Sequence, residues 1–119
     1  MNSRSIGTQG EEIAVQFLTD HGYRIISRNF HCRFGEVDII ARKSEYLVFV
    51  EVKLRKNADY GAPREYVTIS KQKKIKMTAA YYLTLQQDNP MVRFDVIEIM
   101  APKGADHGYT VHHLENAFQ

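Results

Sequence analysis

The chain contains a single cysteine, Cys32, and no long apolar run. One cysteine excludes an internal disulfide framework and fits a reducing compartment. No stretch approaches the roughly 18 apolar residues that a membrane span needs. Met1 to Glu12 has no apolar core of the secretory kind, so a cytoplasmic protein with no membrane attachment is expected. An excess of charge is missing too, since 16 Lys and Arg against 14 Asp and Glu leave only +2. That balance permits nucleic-acid binding without arguing for it, and any such case rests on local clustering. No internal repeat, low-complexity tract or linker interrupts the 119 residues. The expectation is one domain over residues 1–119, large enough for a real core.

What is present is regular patterning. Thr8-Gln9-Gly10-Glu11 has the form of a capping box and predicts a helix to about Asp20, stopped by His21-Gly22. Ile13, Ala14, Phe17 and Leu18 form its apolar stripe. Tyr23 to Phe30 reads as an edge strand, its apolar character broken by Arg24 and Arg28. Phe34 to Ala41 and Leu47 to Leu54 are the clearest strands, and the short Arg42–Tyr46 linker makes them a hairpin. Lys56 to Val67, with Gly61 and Pro63, reads as a loop. Ser70 is placed to cap a second helix, Lys71 to about Gln86, with Ile75, Ala79, Tyr82 and Leu83 inward and Asp88-Asn89-Pro90 as the stop. Val92 to Met100 is then a strand, and Tyr109 to Leu114 a weaker one after the Pro102–Gly108 turn region. Strand, crossover helix and strand from Leu47 to Met100 make a right-handed βαβ unit with parallel strands. The fold class is α/β, a mixed sheet flanked by helices in the order α-β-β-β-α-β-β.

Chemistry concentrates at one strand end. In Leu47 to Leu54, Val48, Val50, Val52 and Leu54 share one face. Leu47, Phe49, Glu51 and Lys53 share the other, which turns from apolar to charged as the strand ends. With Lys43 to Tyr46 as a four-residue loop, Asp38 falls opposite Glu51 on the same face; a five-residue loop separates them unless a bulge intervenes. Opposed carboxylates repel, and a hard divalent cation between them reverses the sign. Lys53 points to the same side, where it can position a water or stabilise charge on a phosphate. The competing reading is a cross-strand salt-bridge cluster of Asp38, Glu51 and Lys53. Glu11 lies at the edge of the first helix's apolar stripe and is the third candidate carboxylate; alternatively it bonds the Thr8 amide in the capping box.

Basic residues follow the same strand. Arg55, Lys56 and Arg64 lie in or before the loop, and Lys71, Lys73, Lys74 and Lys76 crowd the start of the second helix. Near the carboxylates they are candidates to neutralise phosphates; otherwise they are solvated surface. Tyr60 and Tyr66 are candidates for stacking on bases or for packing. His31-Cys32 and His112-His113 lack the spacing of a zinc module, and nothing supplies Cys32 with a base.

Several segments together resemble the YraN family of small bacterial proteins, which has a restriction-endonuclease-like fold. They are Gly10-Glu11 with Ala14, Gly22-Tyr23, Arg28-Asn29-Phe30, Gly35 to Ala41, Val48 to Arg55, and Arg93-Phe94-Asp95-Val96. More distantly the chain is similar to archaeal Holliday-junction resolvases and the PD-(D/E)xK nucleases. The resemblance implies that Asp38 and Glu51 hold Mg²⁺ (or Mn²⁺) and that Lys53 is catalytic. It implies the same metal role for Glu11, which stands eleven residues before Gly22-Tyr23 as a resolvase glutamate does. Val37 stands where the superfamily's eponymous proline would be. The implied function is a metal-dependent endonuclease acting on DNA, branched or otherwise structured, with a homodimer as one possible state. The alternative is a non-catalytic module on the same fold that binds nucleic acid or protein.

Overall fold

The computed structural model describes residues 6–56 and 67–119. Helix α1 spans Ile6–Asp20 and leads into three antiparallel strands, β1 Arg24–Cys32, β2 Gly35–Lys43 and β3 Tyr46–Arg55. Helix α2, Ile69–Leu83, crosses to β4, Met91–Met100, and a 3₁₀ turn at Ala105–His107 precedes β5, Thr110–Phe118. The five strands form one sheet in the order β1-β2-β3-β4-β5, so β1 is an edge strand as its arginines suggested. Only β3 and β4 run parallel, because only they are joined by a crossover helix. The expected mixed α/β layout is therefore the observed one.

Alternation along β3 splits the core into two layers. Val48 and Val50 join Ala14 and Leu18 of α1, Ile39 and Ala41 of β2, and Ile97 and Ile99 of β4. Leu47 and Phe49 point the other way, to Ile75, Ala79 and Tyr82 of α2, with Val96 and Phe118. The β2–β3 connection is tighter than a four-residue loop. Lys43 pairs with Tyr46, leaving Ser44-Glu45 as the turn, and Ser44 takes the left-handed conformation at φ 54°. Arg42 still faces Leu47, so the strand register is the expected one.

Both helix starts differ from expectation. The chain is already helical at Ile6, so Thr8 lies inside α1 and Glu11 is not the third residue of a capping box. Helix α2 is capped by Thr68, whose hydroxyl accepts the Lys71 N–H at 3.1 Å, rather than by Ser70. It ends at Leu83, before Gln86. Three of its carbonyls take 3₁₀-type bonds at this end, Tyr81 from Thr84 N–H, Tyr82 from Leu85 N–H and Leu83 from Gln86 N–H.

Candidate metal centre

The β2–β3 ladder is paired as far as Ile39 and Val50, and one step further along lie Asp38 and Glu51. There the acid replaces the ladder: Asp38 Oδ2 accepts the backbone N–H of Val52 at 2.8 Å. Glu51 is buried to 5 % exposure. Burial, first, and then the charge of Glu51 raise the Asp38 carboxyl, which ends at about 7. Within that value the Val52 N–H pulls the other way, while a hydrogen bond to the Glu51 carboxyl and the charge of Glu11 act with burial. Two carboxyls thus sit within hydrogen-bonding reach, and a third acts on them through its field.

Lysines balance this charge. Lys53 Nζ stands 3.8 Å from Glu51 Oε2, and Lys71 Nζ forms a closer ion pair with the same oxygen. Lys71, expected among the phosphate contacts, is therefore the principal partner of Glu51. The same side of the sheet carries Arg55, paired with Glu98; both side chains are about nine-tenths buried. Arg55 is thereby turned toward Glu98 rather than toward an outside ligand. Glu98 was not anticipated, although an acid inside Val96–Met100, level with Lys53, is a readable signal. Lys56, Lys73 and Lys74 are exposed. Arg64, Tyr60 and Tyr66 lie outside the described residues.

Of the sequence-predicted set, Asp38, Glu51 and Lys53 come together directly. Glu11 contributes charge from α1. Among the described residues, no three His, Cys, Asp or Glu side chains gather closely enough to form a ready metal cage.

A second buried network lies elsewhere on the sheet. Asp95, at 0 % exposure, accepts two bonds from Arg93 at 2.9 Å, one from the Asn116 N–H at 2.9 Å, and faces His113 Nε2 at 2.7 Å. Arg93 also donates to the Tyr23 hydroxyl at 2.5 Å. Burial works to raise the Asp95 carboxyl, but these partners outweigh it and hold it below the ordinary range. His113 is therefore committed to Asp95 rather than to a metal pair with His112. This cluster was visible in sequence only as the Arg93-Phe94-Asp95-Val96 segment.

Residues 10–99 match the uncharacterised protein family UPF0102, and the chain belongs to that family. It is the family that the motifs around Asp38 and Glu51 resemble. A UPF0102 protein of Caldicellulosiruptor saccharolyticus is 49% identical over 100 residues, covering 83% of this chain and 85% of the relative. One from Caldicellulosiruptor bescii is 44% identical and one from Dictyoglomus turgidum 43%, each over 120 residues, 99% of this chain and 100% of the relative.

Proposed function

We propose that the protein is a Mg²⁺- or Mn²⁺-dependent nuclease of the restriction-endonuclease-like kind, acting on DNA in the cytoplasm. The observation that carries this reading is the buried, mutually repelling pair Asp38 and Glu51 at the open end of the β2–β3 hairpin. Repulsion between buried acids is costly unless something cationic relieves it. The donors are oxygens only, which suits a hard cation over zinc, and Mg²⁺ needs only one or two carboxylates beside water and phosphate. The residues present therefore fit such an ion, with Asp38 and Glu51 as ligands and Glu11 adding negative field.

When bound, the ion supplies Lewis acidity to a phosphate oxygen and a more acidic water. The chain's own residues do the rest. Val52 N–H fixes the Oδ2 oxygen of Asp38 and with it the carboxylate. Lys53, held beside Glu51 by their shared strand face, is placed to orient a water or to meet charge growing on the phosphate. Lys56, Lys73 and Lys74 offer exposed cations to flanking phosphates. Asp38→Ala and Glu51→Ala should each abolish divalent-dependent cleavage while retaining a native circular-dichroism spectrum. The screen covers linear, flapped and four-way DNA and RNA; cleavage that survives both substitutions, or survives chelation, sinks the chemistry.

The second reading, a binding module without catalysis, is favoured by one fact: two lysines, Lys53 and Lys71, are paired with Glu51. Calorimetry with Mn²⁺ separates the two, because an adaptor has no need to bind metal at Asp38.

A further inference from the structure

Glu51 has more cationic company than one buried carboxylate requires. Lys53 comes from its own strand, two residues on, and stays at 3.8 Å. Lys71 comes from a different element and makes the closer contact. Its backbone is fixed by the Thr68 hydroxyl in the first turn of α2, yet its side chain is 40 % exposed. A cation in a first helical turn opposes the macrodipole, so Lys71 is not there to stabilise α2. Lys71 also lines a cavity of about 370 Å³, shared with Thr68, Ser70, Lys74 and the acid Glu36.

We propose that Lys71 is an exchangeable counter-ion. In the metal-free protein it occupies Glu51; a divalent cation takes that carboxylate in its place, and the freed ammonium turns to a substrate phosphate beside Lys74. The proposal rests on the metal-site reading above. It assigns the two lysines different duties, because Lys53 is bound to the strand that carries Glu51 whereas Lys71 can leave with its side chain alone. Metal occupancy and phosphate capture are then two positions of one residue.

The test is calorimetric titration of Mn²⁺ into the full chain, its Lys71→Met variant, and Lys76→Met as a control for lost charge on the same helix. Removing a competitor for Glu51 should tighten Mn²⁺ roughly 5-fold or more, the size of one ion pair. Lys76→Met should shift it by less than about 2-fold, as expected of a screened and more distant charge. Melting supplies an independent readout. Lys71→Met should unfold at a lower temperature in EDTA and regain the difference when Mn²⁺ is added. Lys71→Gln, which keeps a polar tip over Glu51, should give an intermediate affinity and serves if the Met variant folds poorly. Mn²⁺ affinity that is unchanged or weaker in Lys71→Met, or shifted equally by Lys76→Met, overturns the exchange and leaves the metal site standing. Absence of Mn²⁺ binding in every variant overturns both.

Discussion

At the scale of single residues, Asp38 is the side chain most at odds with its surroundings. Glu51 lies against it and Glu11 adds charge, while Lys53 and Lys71 are both directed at Glu51. Its folded value of about 7 lies above the ordinary 3.8, so the folded protein binds this proton more tightly than the unfolded chain. The associated stability is complete below about pH 4, declines as the pH rises toward 7, and is gone above it. Asp38→Asn keeps an oxygen for Val52 and removes the charge. Without metal at pH 8 it should melt roughly 3–6 °C above the wild type, about 1 kcal/mol, and lose the decline between pH 4 and 7. The same variant should no longer bind Mn²⁺. Matching pH profiles for variant and wild type would show that the strain lies elsewhere.

At the scale of elements, the approach of α1 to β3 sets where Glu11 stands. A Cβ at Gly10 would lie 3.3 Å from Leu54 Cβ and 3.6 Å from a Val52 methyl, so this glycine lets the helix sit close to the strand. Gly10→Val should cost roughly 1–3 kcal/mol by overpacking, read as a lower urea midpoint with an unchanged slope. Alternation along Leu47–Lys53 foretold both core layers, whereas the alignment of Asp38 with Glu51 was expected only for a four-residue loop. It survived a wrong turn length because Lys43 and Tyr46 simply continue the ladder. The helix starts were less legible. Thr68 and Ser70 both carry a hydroxyl, and only the docking of α2 on the sheet decides which one caps. The bond from Val52 to Asp38 and the pair Arg55–Glu98 were hidden for a related reason. The first depends on where a ladder stops, the second on which strand is brought alongside by a crossover.

At the scale of the molecule, the two buried charge networks lie at separate places on one sheet and differ in kind. Asp95 is fully matched by Arg93, His113 and Asn116, whereas Asp38 retains an unfavourable neighbour. Arg93→Met should therefore leave an under-paired buried carboxylate and lower stability by about 3–5 kcal/mol in chemical denaturation. A loss below about 1 kcal/mol would place Asp95 among ordinary surface ion pairs. The single parallel pairing, Tyr46 with Met91 through Arg55 with Met100, also fixes an order in time. Strands β1 to β3 join through short turns and close first, while β4 waits for the whole of α2 to be made and folded back. Asp38 and Glu51 lie on the hairpin expected to close first, whereas Lys71 reaches Glu51 only once α2 has docked. Until the helix arrives, Lys53 is the cation that the hairpin itself sets beside Glu51, and the closer partner comes only with the crossover.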